Sequence, residues 1–241
     1  MGERSEWYGV LHGAIPTAMW QRSWSSVRQM RLQPADTLVI LGATWGANYY
    51  LNKRDLHVKE QLNACGPTVL CIHGNHECRP AHVPGYGLQD WSGGQVYVQP
   101  EYPHVLFAVD GEVYTLEGRD HLVIGGAYSV DKYYRLMRGF RWWEDEQPDE
   151  ATKAKVNRVL AARGWRVPVV LSHTCPFKYE PVEAFLPGID QGSVDASTER
   201  WLDTIDDRLT CDAWYCGHWH INKRIGRMHF LFHEFEAAIE H

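Results

Sequence analysis

Four short apolar runs limit what this chain can fold into. They are Thr37–Leu41 (TLVIL), Thr68–Ile72 (TVLCI), Val167–Leu171 (VPVVL) and Ala213–Cys216 (AWYC). A strand with one wet face alternates apolar and polar residues. A continuous β-branched and aliphatic run is expected of a strand buried on both faces. Helix patterns lie between the runs, which favours a central sheet covered by helices. Trp7–Leu11 reads as a further strand that stops at His12-Gly13, and Thr17 to about Met30 as a helix. Lys53–Ala64 reads as a helix closed by Gly66-Pro67, and Pro148–Gly164 as one with Asp149-Glu150 at its front and Gly164 behind. Thr198–Leu209 is an amphipathic helix, and Met228–Phe232 and Glu234–Ile239 are closing strands. From Val96 to Gly126 the character changes. Gln95–Val98, Val105–Val109, Glu112–Leu116 and His121–Ile124 are short strands split by Pro or Gly, the pattern of an antiparallel meander. The loops Tyr128–Gln147 and Thr174–Ser197 are long, a length that goes with function or mobility. There is no internal repeat and no linker, so residues 1–241 are expected to form a single domain.

Composition excludes several classes. The chain is 44% apolar and 22% charged, which is average globular usage and not that of a disordered chain. No apolar run approaches the roughly 20 residues of a membrane helix, and the N-terminus lacks the apolar stretch of a secretory signal. A soluble, cytoplasmic chain with no membrane partner is the expectation. The formal charge of −6 gives no general attraction to nucleic acid, although it leaves room for a local basic patch. None of the six Cys pairs at C-x-x-C spacing, so they are expected to be reduced and structural.

Polar residues recur where the buried strands stop. His12 follows the first strand, Asn75-His76 a later one, His173 another, and His218 and His220 the last. In open α/β sheets ligands bind outside the carboxyl ends of strands, so these side chains are expected to converge. Neutral imidazole is the commonest metal ligand, and convergence of several points to a transition-metal site. The other His residues, apart from His73, show no spacing pattern and read as surface or capping groups. Lys132 and Arg135 could meet a phosphate, or could pair within their loop with Asp131 or Glu144. Trp219, between two pocket His residues, could face a nucleobase, whereas most of the Trp residues read as packing.

The segments LHG (11–13), GNHE (74–77), SH (172–173) and GHWH (217–220) resemble, in order and spacing, the calcineurin-like metallophosphoesterases. GGAYSVDKYYR (125–135) and WWEDEQP (142–148) extend the resemblance toward small bacterial and phage-type members. It implies an α/β fold, a four-layer α-β-β-α sandwich, and hydrolysis of a phosphoester with divalent metal. It further implies that His12 and His220 belong to one metal, that Asn75, His173 and His218 belong to a second, and that His76 contacts phosphate and protonates the leaving oxygen.

The chain departs from that pattern where the family carries its metal-binding carboxylates. Val10 stands at the Asp of the first motif and Ala43 at the bridging Asp of the second, while His73 precedes the Gly of GNHE. Paired metals lie about 3.5–4 Å apart. Two divalent charges at that distance repel by roughly 17 kcal/mol at an effective dielectric of 20. One anionic bridge is missing, so one ion, manganese or zinc, is expected in place of two. The function expected is a metal-dependent phosphoesterase with a weakened site, acting on a phosphodiester or nucleotide. The alternative is an inactive relative that binds or sequesters a phosphorylated small molecule or nucleotide.

Overall fold

A computed structural model describes residues 6–9, 32–42, 47–232 and 235–237. The expected helix at 17–30 lies outside these residues, as do Val10, His12 and Ala43.

Thirteen strands form two sheets among the described residues. The first sheet contains β1 (Glu6–Gly9), β2 (Thr37–Ile40), β3 (Thr68–Cys71), β4 (Gly87–Trp91), β5 (Gly94–Val98), β6 (Val105–Ala108) and β13 (Phe235–Ala237), in the order β13-β1-β2-β3-β6-β5-β4. The second contains β7 (Val113–Leu116), β8 (Arg119–Ile124), β9 (Val169–Ser172), β10 (Ala213–Cys216), β11 (Lys223–Ile225) and β12 (Met228–Phe230), in the order β11-β12-β10-β9-β8-β7. Strands β1, β2, β3 and β6 run parallel, as do β8, β9, β10 and β12. The helices are α1 (Lys53–Asn63), α2 (Lys132–Met137), α3 (Glu150–Ala162) and α4 (Ser197–Asp206).

Strand alternation builds four layers. Side chains along a strand point to opposite faces by turns. Val39, Leu70, Val96 and Leu106 of the first sheet meet Tyr114, Val123, Val169 and Tyr215 of the second in one buried cluster. The outward residues Leu38, Ile40, Val69 and Phe107 pack on Val58 and Leu62 of α1. On the far side, Leu122, Val170, Trp214 and Phe230 pack on Val156 and Leu160 of α3 and on Leu202 and Ile205 of α4. Helix, sheet, sheet and helix therefore stack in that order, as the sequence led us to expect. Asn52 caps α1 by accepting from the Arg54 amide (2.9 Å), and Asp149 caps α3 by accepting from the Thr152 amide (2.7 Å).

Four expectations need correction. The strands from 95 to 124 are not one meander. β5 and β6 belong to the first sheet and β7 and β8 to the second, so the chain crosses between sheets at residues 109–112. Tyr114 ties that crossing: its hydroxyl donates to the Gln95 carbonyl (2.6 Å) and accepts from the Val109 amide (2.9 Å). Two strands without an apolar pattern, β4 and β11, join as edges, and four of the five β4 residues are exposed. The loop at 128–147 contains the helix α2. Finally, His121 and His229 are buried, not surface or capping groups, because each sits inside a strand ladder. All six Cys are free thiols.

Candidate active site

The carboxyl ends of strands from both sheets meet at one edge of the sandwich. The His173 ring bridges them. Its Nδ1 lies 2.8 Å from the Leu41 carbonyl at the end of β2, so Nδ1 carries the proton and donates. Its amide donates to the Ile124 carbonyl at the end of β8 (3.0 Å), and its own carbonyl accepts from the Gly217 amide after β10 (3.0 Å). The Gly126 amide donates to the His73 carbonyl after β3 (2.8 Å). Sequence reading placed a pocket here, and Asn75, His76, His173 and His218 do come together.

Asn75 stands at the centre. Its Oδ1 is 3.0 Å from His173 Nε2, and its Nδ2 donates to Ser129 Oγ (3.0 Å). The His218 and His173 ring centroids are 5.0 Å apart. His218 Nδ1 is buried and has no hydrogen-bond partner among the described residues. Within GHWH, His218 (φ 65°) and His220 (φ 53°) both adopt left-handed backbone, a conformation uncommon outside glycine and most tolerated by Asn, Asp and His. The segment thereby turns back on itself at the strand end. His220 is exposed and stacks on Phe232, with centroids 4.8 Å apart and an 11° interplanar angle.

The His76, His173 and His218 imidazoles are neutral at neutral pH. Burial pushes the His173 pKa down to about 4. Burial also lowers His76 and His218 well below the usual range, helped at His76 by the Arg135 guanidinium and at His218 by His173. Neutral imidazoles can ligate a cation, and they present no negative charge to attract one. His73 is fully inside, with both ring nitrogens unpartnered, and is likewise held neutral by burial and by Arg79.

Residues that the sequence did not assign to the site support it. Ser129 is buried and joins Asn75 to Glu146: the Ser129 amide donates to Glu146 Oε1 (3.1 Å). Trp142 Nε1 donates to Glu146 Oε2 (2.9 Å), and burial raises the Glu146 pKa. GGAYS and WWEDEQP are thus two halves of one bracket around Asn75. Tyr49 lies with its ring centroid 6.0 Å from that of His76, and its hydroxyl accepts from Arg135 Nη1. Glu77, the last residue of GNHE, accepts from the Gly74 amide (3.0 Å) and closes that turn.

The residues expected at a substrate have partners within the fold. Arg135 is buried and donates through Nε to Asp131 (2.7 Å), while its guanidinium covers the Tyr49 ring. It reaches the site through its field on His76. The Lys132 ammonium stands over the Trp142 ring at 4.1 Å. Trp219 stacks on Phe185 (5.8 Å, 25°) with its edge region against His218 (5.2 Å). Trp219 Nε1 has no partner among the described residues.

No curated protein matches the chain. A crystal structure of a protein of unknown function from Aquifex aeolicus superposes with a TM-score of 0.46 and 12% identity, over 98% of this chain and 96% of that one. The family model for calcineurin-like phosphoesterases matches residues 12–222. That span ends just beyond GHWH, so it contains GNHE, SH and GHWH, the motifs that meet at the sandwich edge. The chain belongs to the calcineurin-like phosphoesterases.

Proposed function

We propose that this chain hydrolyses a phosphoester, either a phosphodiester or a nucleotide, with the help of one divalent ion. The observation that carries the reading is the trio Asn75 Oδ1, His173 Nε2 and His218 Nδ1. The first two are 3.0 Å apart, and the third is a buried nitrogen without a partner. Among the described residues no three His, Cys, Asp or Glu side chains are gathered to hold a metal without help, so the Asn75 amide is needed. Three neutral N and O donors that leave positions open fit one manganese or zinc ion, and His220 or His12 could complete the set. When bound, such an ion supplies Lewis-acid polarisation of a phosphoryl oxygen.

The chain's own groups do the rest. Ser129 and Glu146 fix the Asn75 amide so that its oxygen faces His173. The Leu41 carbonyl fixes the His173 tautomer, leaving Nε2 free of a proton. His76 is neutral in the free protein, and a bound phosphate reverses the balance of charge around it. His76 then takes up a proton from solvent and gives it to the ester oxygen, which leaves as water adds to phosphorus. The test is turnover of bis-p-nitrophenyl phosphate with added Mn²⁺. His76→Ala is expected to lower it about 10²- to 10⁴-fold.

A second reading has its own support. The site shows neutral imidazoles, with the Arg135 guanidinium beside His76. That balance suits an anion better than a cation and favours a relative that binds a nucleotide without turning it over. Micromolar nucleotide binding by calorimetry, with no turnover in any divalent metal, establishes this reading and removes the first.

A further inference from the structure

The chain carries −6 overall, yet residues 128–143 (YSVDKYYRLMRGFRWW) hold four basic residues against one acidic, a net +3. Aromatic residues interleave with these charges. Tyr133 is 69% exposed, Tyr134 50% and Phe140 54%, and Leu136 and Met137 beside them are exposed as well. Only Arg135 of α2 is buried. This helix therefore turns one cation inward, toward Tyr49 and His76, and a row of apolar and aromatic side chains outward. The guanidinium of Arg138 lies over the Tyr134 ring (5.5 Å) and that of Arg141 over the Trp143 ring (5.7 Å). Arg138 and Arg141 are exposed. The same segment walls a cavity of about 440 Å³, in which Tyr128, Asp131, Tyr133 and Tyr134 face Ile189 and Val194. That volume suits one nucleoside.

We infer that the 128–143 segment is a platform for single-stranded nucleic acid, which it leads along α2 to the phosphoester site with one base in the Tyr128–Tyr133–Tyr134 cavity. Exposed rings give bases a stacking surface, and cations at the rim meet the backbone, the combination by which single strands are held without sequence preference. Charge complementarity calls for an anionic partner, and the exposed rings select nucleic acid over an acidic polypeptide, because every base has a face to stack. The inference rests on the phosphoester reading for the bond that is cut and on the patch alone for binding.

The experiment separates the two. Anisotropy of a fluorescein-labelled dT15 oligonucleotide is measured in EDTA, where turnover plays no part. The wild-type chain is expected to bind with a slope of log K against log salt near −2, from about three backbone contacts by Lys132, Arg138 and Arg141. Tyr133→Ala is expected to weaken binding about 5- to 100-fold. The pair Arg138→Glu and Arg141→Glu is expected to weaken it at least 10-fold and flatten the slope. All of these variants should keep wild-type turnover of bis-p-nitrophenyl phosphate. If that turnover is absent while dT15 still binds through the patch, the platform stands and the catalytic reading falls. Absence of dT15 binding, equal binding by the variants, or equal competition by a polyglutamate peptide overturns the platform. So does a dimer formed through α2 that the oligonucleotide does not disrupt.

Discussion

Gly42→Ala should be among the most damaging single substitutions in this chain. Gly42 follows β2 with φ at +102°, where an L side chain is strained. A Cβ there would stand 2.0 Å from His173 Nδ1, 2.7 Å from Cε1 and 2.8 Å from Cγ. None of these atoms can give way cheaply. The ring is fully buried, and Nδ1 is tied to the Leu41 carbonyl at 2.8 Å. Backbone strain costs about 1–3 kcal/mol. Overpacking costs a further 1–3 kcal/mol or so. A His173 ring displaced from Leu41 leaves a buried carbonyl unpaired, for roughly 1–3 kcal/mol more. We expect about 4 kcal/mol in all, which lowers Tm by roughly 8–16 °C for a chain of this size. Thermal unfolding followed by circular dichroism reads this directly. A double-mutant cycle isolates the clash. In Gly42→Ala with His173→Ala the ring is gone, so the pair should be less destabilised than the singles predict by about 1–3 kcal/mol. A Gly42→Ala protein that melts within 2 °C of wild type, or a cycle that is additive, would refute the contact on which the site's assembly rests.

Two further outcomes follow from buried groups. Glu146→Ala strips acceptors from the Ser129 amide and Trp142 Nε1, so urea unfolding should show a loss of about 2–4 kcal/mol. Turnover should fall with it through Asn75, and a stability within 0.5 kcal/mol or so of wild type would count against the bracket. His121, whose pKa burial lowers to about 4, binds its proton less tightly folded than unfolded. It therefore contributes no pH dependence above about 6.5 and destabilises as pH falls from there toward 4, by up to about 1.4 kcal/mol per unit. His121→Gln should flatten that acid limb, and an unchanged slope between pH 6 and 4.5 would contradict the assignment.

What could be read in the sequence was what its periodicity encodes. The unbroken apolar runs at 37–41, 68–72 and 213–216 became parallel strands buried on both faces, and the run at 167–171 became β9, shifted to Val169–Ser172. β9 starts late because Pro168 has no amide to donate and Val167 bonds to Thr210 outside the ladder. The switch of sheets at 109–112 could not be read, since a tight turn between short strands looks alike whether the next strand pairs beside the last or crosses the core. Only Tyr114, reaching back to Gln95 and Val109, shows where the crossing is fixed. β4 escaped notice because an exposed edge strand needs no apolar face. In the site, residue type at strand ends pointed to Asn75, His76, His173 and His218. It could not point to Ser129, Tyr49 or Glu146, whose roles depend on partners 17 to 86 residues away.

Several departures from local rules fall at one edge of the sandwich. Elsewhere Asn and Asp cap helices and apolar residues fill the three clusters, although Leu51, Ser92, Glu117 and Trp165 also hold left-handed backbone. At the strand ends the departures fall on imidazoles. His218 and His220 hold a backbone conformation that glycine would adopt without strain, at about 1–3 kcal/mol each. His73 is buried with both ring nitrogens unpartnered, and so is one nitrogen of His218, where an apolar residue would be cheaper. These costs fall on residues contributed by different strands, and they are tolerated only because the Leu41, Ile124 and His173 carbonyls lock the strand ends together. A fold that had merely drifted from its family could have relaxed each of these positions separately, by Gly at 218 or Leu at 73, with a gain in stability. Orphaned ring nitrogens and strained backbone on residues from separate strands, brought to one edge, are the pattern of a site held in shape for a ligand.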